Sequence, residues 1–157
     1  MRCPKHRQSG SVAVEFGFVL PIVFVLVLGF IETGNLFYSW LTTYRAAQAG
    51  TRFAATGQGD EEGTRMTRIQ EEVAKFMDHL NGGASDMTVS SWPRGVYEGD
   101  GTEGDAGDPC EMVEVAVAYD YHPITPVLGD LMPETIVLSG SDRKVNEPWS
   151  VCEELPQ

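Results

Sequence analysis

The architecture of this chain follows from one stretch of its sequence, FGFVLPIVFVLVLGFI, which occupies residues 16–31. Thirteen of these 16 residues are Val, Ile, Leu or Phe, and the other three are Gly17, Pro21 and Gly29. Each apolar residue favours insertion into a bilayer by roughly 0.3–0.6 kcal/mol. A span needs about 20 residues, and residues 12–14 extend the apolar run on the other side of Glu15. We therefore expect a single membrane-spanning helix, rather than the buried core helix of a soluble domain.

The charges on either side of this segment differ in sign. Residues 1–10 contain three basic side chains, Arg2, Lys5 and Arg7, and no acidic one. Residues 57–157 hold 21 of the 23 acidic side chains and six of the 11 basic ones, which gives this part a net charge of −15. Because positive flanks stay in the cytoplasm, the N-terminus is predicted to be cytoplasmic and residues 57–157 to lie outside. A surface this acidic repels phosphate backbones, so nucleic-acid binding is not expected.

The helical pattern continues beyond the apolar run, as far as residue 56. Apolar residues recur at helical spacing up to Tyr44, and Tyr38, Trp40 and Tyr44 would form an interfacial aromatic belt. Ala46, Gly50 and Ala54 repeat every four residues, which lets a second helix approach closely. That stripe of small residues either packs against another subunit or covers the protein's own domain. A removed signal peptide is disfavoured, because the first small-x-small site, Ala47-Gln-Ala49, lies too far from the apolar run.

Residues 57–157 are expected to form a small α+β domain. Helical spacing predicts one helix from its apolar residues, and strict alternation over 112–121 predicts a strand with one buried face. Weaker strands are predicted at 87–92 and 135–142. The fold class is therefore α+β, with a long N-terminal transmembrane helix and an antiparallel sheet that carries one packed helix. The residues that carry the helix are Met66, Ile69, Val73, Phe76 and Leu80.

Two features of this domain concern possible sites. Residues 95–109 are rich in Gly and acids, but they lack the ligand order of an EF-hand, so a flexible, solvated loop is favoured over a calcium site. Cys110 and Cys152 could close a disulfide in an oxidising compartment, worth about 4 kcal/mol in the chain-entropy model. The His residues lack ligand spacing and no nucleophile or phosphate-binding motif is present, so we expect neither an enzyme nor a bound metal or cofactor.

The start of the chain carries the most specific pattern. A basic leader ends at Gly10 and is followed by Ser11, then by Glu15 and Phe16, and then by the apolar helix. This order resembles the class III signal of type IV prepilins. The resemblance implies that a prepilin peptidase, which recognises Glu15 and Phe16, cuts between Gly10 and Ser11, removes leader 1–10 with Cys3, and leaves a helix over 11–56. It also implies that Glu15 pairs with the new amino group of a neighbouring subunit. The simpler alternative is an interfacial Glu that reaches the headgroups.

The resemblance extends past the leader. The runs SVAVEFGFVLP (11–21), GFIETGNLFY (29–38) and AAQAGTRFAA (46–55) are similar to those of TadE-like proteins of tight-adherence (Flp) pilus systems, as is YHPITPV (121–127) more loosely. Thr33 and Asn35 depart from the family, where an aromatic residue and an Arg are more usual, which removes any expected role for a basic residue there.

This resemblance implies a minor pseudopilin needed for pilus assembly. The resemblance also implies a single-pass protein of the inner membrane, with its C-terminal domain periplasmic or extracellular or in the pilus. The partners that it implies are the prepilin peptidase, other pilin or pseudopilin helices and the Tad inner-membrane machinery. The alternative function is an uncleaved single-span scaffold or secretion-machine subunit that enters no filament.

Overall fold

A computed structural model describes residues 9–80, 83–96, 98–125, 129–130 and 132–152, with side chains from residue 12 onward. Helix α1 runs over Ser9–Ala54 and helix α2 over Arg65–Met77. The strands are β1 (Ser85–Trp92), β2 (Thr102–Glu103), β3 (Met112–Tyr121) and β4 (Ile136–Val145). They form one antiparallel sheet in the order β2-β1-β3-β4. The predicted α+β class is confirmed.

The core lies between one face of the sheet and two helices. Val113, Val115 and Val117 of β3 are buried at every second position, as their alternation predicts. Ile69 and Val73 of α2 and the second half of α1 cover them. The sequence predicted one helix on the sheet, and the structure adds α1, whose apolar first half leaves the domain while its second half belongs to the core.

Small residues allow the second half of α1 to pack closely against the sheet and α2. A Cβ atom at Gly50 would stand 2.7 Å from a methyl carbon of Val73 and 3.1 Å from one of Val115. Both distances are shorter than ordinary contacts between carbon atoms, which are about 3.5–4.0 Å. The helix therefore lies as close to the sheet and to α2 as glycine at position 50 permits.

The segment expected to be a flexible acidic loop contains regular structure. Within residues 95–109, Thr102 and Glu103 form β2 and pair with Ser91 and Ser90 of β1. Ala106 is buried, and Ser91 Oγ donates a hydrogen bond to Asp105 Oδ2 at 2.6 Å. Backbone pairing thus adds a fourth, short strand at the edge of the sheet, which the acidic composition concealed.

Candidate functional site

The first half of α1 is the first candidate surface. Of the described residues, α1 is the one helix long and apolar enough to cross a membrane, and the protein covers none of that apolar window. Phe16, Phe18 and Phe30 are each between 62% and 77% exposed. A continuous apolar surface of this kind is typical of a helix surrounded by lipid or by other apolar helices. The helix is compatible with a single-pass membrane protein.

The residues of the predicted leader signal lie at the start of this surface. Glu15 and Phe16 are both exposed on α1, and Gly10 and Ser11 lie in its first turn, since the helix begins at Ser9. The side chains of residues 9–11 are outside the described part of the chain. Processing at Gly10 and pairing of Glu15 remain predictions.

The small-residue stripe faces the chain's own domain. Ala46 and Ala54 are fully buried and Gly50 is buried against Val73 and Val115. The stripe therefore packs against the protein's own sheet and α2, rather than against another subunit. Contacts between α1 and other helices are therefore left to the exposed first half and to the outer face of the second half.

One residue past the apolar run, Glu32 joins α1 to the far end of the sheet. Its side chain is only 2% exposed. The Tyr121 hydroxyl donates to Glu32 Oε1 at 2.6 Å, and the backbone N–H of Thr125 donates to Oε2 at 3.0 Å. The N–H of Ile124 lies 3.2 Å from both oxygens. We call these residues, with Asn35, the Glu32 junction.

The chemistry of the Glu32 junction suits an ionised carboxylate. A buried charge is costly unless it is hydrogen-bonded, and here every partner of Glu32 is a donor. Asn35, one turn along α1, donates from Nδ2 to the Tyr121 hydroxyl oxygen at 3.2 Å. Asn35 thus supports Tyr121 without adding a charge to the junction.

The junction also changes the acidity of Tyr121. Burial, and next the hydrogen bond that it donates to Glu32, raise the pKa of Tyr121 from 10.0 to about 12. Both causes favour the neutral hydroxyl, because a phenolate would be poorly hydrated and would face a carboxylate. Tyr121 therefore remains a hydrogen-bond donor at any physiological pH.

Sequence reasoning assigned no role to Glu32. The signal was present on α1: Glu32, Ser39, Thr43, Ala46 and Gly50 share one helical face, and all are buried. A single carboxylate on a face of small residues indicates a buried partner. No local pattern could name that partner, since Tyr121 lies 89 residues away along the chain.

A second polar cluster closes the opposite end of the domain, where α1 ends. Arg65 is 5% exposed and donates to the carbonyl of Ala54 from Nη2 at 2.7 Å and to that of Gly107 from Nη1 at 2.6 Å. Burial lowers the pKa of the Arg65 guanidinium, which Asp60 partly offsets. Asn146 donates to the carbonyls of Ala106 and Asp108, each at 2.9 Å. The cluster ties the end of α1 to the acidic segment and to the residues after β4.

A disulfide lies beside this cluster. Cys110 and Cys152 are bonded, with their Cα atoms 5.7 Å apart and a separation of 42 positions in sequence. Trp149 lies over Arg65, whose guanidinium carbon is 4.6 Å from the ring centroid. Both features fasten the C-terminal segment to the domain. Within the described ranges, no group of three or more His, Cys, Asp or Glu residues is arranged to hold a metal ion.

Fold and junction together define a class: a protein with one apolar, membrane-compatible helix whose second half forms the core of an α+β domain. The sequence model of one family, described as TadE-like protein, matches residues 10–52. This match spans most of α1, including Glu15, Glu32 and Gly50, and it confirms the predicted resemblance. Over these residues the chain is similar to TadE-like proteins, and this similarity associates it with the Tad pilus system. No curated protein and no solved structure gives a significant match.

Proposed function

We propose that this protein is a minor pseudopilin that helps to assemble a tight-adherence pilus. The observation that carries the proposal is the division of α1 into an uncovered apolar half and a half buried in a domain. An uncovered apolar helix gains by packing against similar helices, and the attached domain is then carried on the outside of the assembly. In this proposal the N-terminus is cytoplasmic, the helix crosses the inner membrane, and the domain is periplasmic or extracellular.

We further propose that a prepilin peptidase cuts between Gly10 and Ser11. This bond lies in the first turn of α1. The first four N–H groups of a helix lack acceptors within the helix, and glycine has the largest conformational freedom. The turn can therefore unwind at small cost into the extended form that a protease cleft needs.

Processing is tested by mass spectrometry of the membrane-extracted protein from cells with and without the peptidase. The proposal expects loss of residues 1–10 only where the peptidase is present, and no loss in a Gly10→Leu variant, whose side chain obstructs the cleft. An intact N-terminus at Met1 in cells with active peptidase would exclude processing. It would favour the alternative, an uncleaved single-span scaffold or secretion-machine subunit that enters no filament.

Glu15 is proposed to pair with the new amino group of a neighbouring subunit. A carboxylate in an apolar bundle is costly unless it meets an opposite charge, so the pair would fix the register of adjacent helices. We expect Glu15→Ala to leave cleavage intact and to impair piliation strongly, measured by electron microscopy and by sheared-pilus yield. Glu61→Ala, an exposed acid in the domain, is the matched control. Normal piliation in the Glu15 variant would contradict the pairing.

A further inference from the structure

The outer face of α1 bears the basic patch of an otherwise acidic domain. Arg45 and Arg52 are exposed on α1, and Lys144 is exposed on the adjacent strand β4. The three line one depression of the surface, with Asp142 as the one carboxylate in its lining. We call Arg45, Arg52 and Lys144 the basic patch. It is a local positive surface on a domain whose residues 57–157 have a net charge of −15.

Other cations of the described chain are committed to partners. Arg68 pairs with Glu62 at 3.3 Å and Arg143 with Glu114 at 2.6 Å, while Lys75 pairs with Glu72. Arg65 is buried in the second polar cluster, where α1 ends. By contrast, no carboxylate of the described residues lies within ion-pair distance of the basic patch. These three charges are available to an external acidic group.

The bilayer surface is too far away to be that group. Arg45 lies 14 residues beyond Ile31, which is about 21 Å at 1.5 Å per residue. The headgroup region extends only about 5–8 Å beyond the hydrocarbon. Arg52 is farther still, so the patch faces solvent or protein rather than lipid. By the same measure Tyr44, which precedes Arg45, lies beyond the headgroups, so the interfacial belt predicted for Tyr38, Trp40 and Tyr44 does not extend to Tyr44.

The chain itself carries a complementary surface at the opposite edge of its sheet. Glu98, Asp100 and Glu103 are exposed in the segment around β2, whereas Asp108, whose carbonyl accepts from Asn146, lies beside the residues that follow β4. Strand β2 is one edge of the sheet and β4, with Lys144, is the other. The basic patch and these three carboxylates therefore lie at opposite edges of the sheet, so that a contact between them is expected between two molecules.

We propose that the basic patch docks the acidic segment around β2 of a second copy of this chain. Copies so joined are related head to tail, because the two surfaces differ and lie on opposite edges, and such a contact can repeat along an assembly. The net charge of −15 on residues 57–157 makes other pairings of the two domains repulsive, so this contact also selects the orientation. The inference rests on the proposed function, in which packed helices align the copies, and extends it from helices to domains.

The test uses the full-length protein in a non-ionic detergent, as an equal mixture of ¹⁴N and ¹⁵N copies. A carbodiimide joins an amine to a carboxylate that touches it. We expect mixed-isotope peptides that link Lys144 to the acidic segment. Their yield should fall on going from about 50 mM to about 500 mM salt, because salt screens exposed charges. Cross-links found only within one isotope, or no link at Lys144, would overturn the proposal.

Charge reversal separates docking from folding. Arg45→Glu/Arg52→Glu retains Lys144, and it should lower the mixed cross-link at least about fivefold; Asp100→Lys/Glu103→Lys should do the same. Mixing these two variants makes both surfaces complementary again and should restore the link, which misfolded proteins could not do. Arg68→Glu/Lys75→Glu, an equal charge change on α2, is the control and should leave the yield unchanged.

Failure of this mixing to restore the link would overturn the inference even if each variant alone lost it. The proposed function is judged separately, by N-terminal processing and piliation. Normal processing with no cross-link would contradict the domain contact alone. Cross-linking without processing would contradict the pseudopilin proposal alone.

Discussion

At the scale of single residues, Glu32 determines how the domain meets the membrane-compatible helix. Its carboxylate receives a side-chain donor from β3 and backbone donors from residues 124 and 125. These bonds have defined directions, so they restrict rotation of the sheet about α1 more than apolar contact would. The Glu32 junction is therefore a positioning device as well as a stabilising one.

Tyr121→Phe tests this junction. It removes the O–H···O bond to Glu32 while keeping the ring, and we expect a loss of about 1.5–3 kcal/mol in the free energy of unfolding. Chemical unfolding in detergent, followed by tryptophan fluorescence, measures it. Tyr44→Phe is the control and should change the value by less than about 0.5 kcal/mol, as surface substitutions do. Equal stability of the two variants would contradict the role of Tyr121.

The difference in stability between the wild-type protein and Tyr121→Phe should depend on pH, with a sign that follows from the pKa of Tyr121. The pKa of Tyr121 rises to about 12 in the folded protein against 10.0 for the ordinary side chain, so the folded state holds this proton more tightly than the unfolded state. The contribution is complete below pH 10 and is lost as the pH rises towards 12. Tyr121→Phe should remove that part of the decline in stability.

At the scale of elements, the sequence predicted some limits well. The strand expected over 112–121 is β3 with those same limits, because alternation of buried and exposed residues persists through it. Strand β4 runs to Val145, past the predicted residue 142, since Arg143 pairs with Glu114 on β3 and the ladder continues. The predicted helix reached Leu80, whereas α2 ends at Met77.

Gly50 tests the close approach of α1 to the core. In Gly50→Ala the new Cβ would meet buried methyl groups of Val73 and Val115, and we expect the protein to lose about 1–3 kcal/mol. Gly34→Ala is the matched control, because a Cβ there meets nothing within 4 Å. It should gain up to about 1 kcal/mol from helix propensity. Thermal unfolding of both variants gives the comparison, and a Gly50→Ala protein as stable as the control would refute the packing argument.

At the scale of the whole molecule, the sequence predicted the apolar helix and the acidic domain, but not the packing of the second half of that helix into the domain. Charge and hydropathy separate the apolar helix from the acidic domain. They do not reveal that α1 supplies core residues, because Ala46, Gly50 and Ala54 suit either a neighbouring subunit or the chain's own sheet. Only the tertiary packing distinguishes these uses. The Glu32 junction and the Arg65 cluster were unforeseen for the same reason, since each joins residues that are distant in sequence.

The disulfide joins the segment after β4 covalently to the residue that precedes β3 by two positions. Removing the Cys110–Cys152 link in a Cys110→Ser/Cys152→Ser protein should cost about 4 kcal/mol, as the chain-entropy model gives for a loop of this size. Denaturant unfolding of the wild-type protein with and without reductant should reproduce the difference. Reductant should leave the double variant unaffected. Equal midpoints for the oxidised and reduced wild type would show that the bond adds nothing.

The continuity of α1 through 46 residues has a mechanical consequence. No hinge separates the apolar half from the half inside the domain, and the Glu32 junction braces the helix at the point where it leaves the apolar run. A push or a twist on the part of α1 that follows Pro21, the proline inside its apolar half, is therefore transmitted directly into the sheet. The protein would act as a rigid lever, in which a small tilt of the anchor displaces the far edge of the domain by a larger distance.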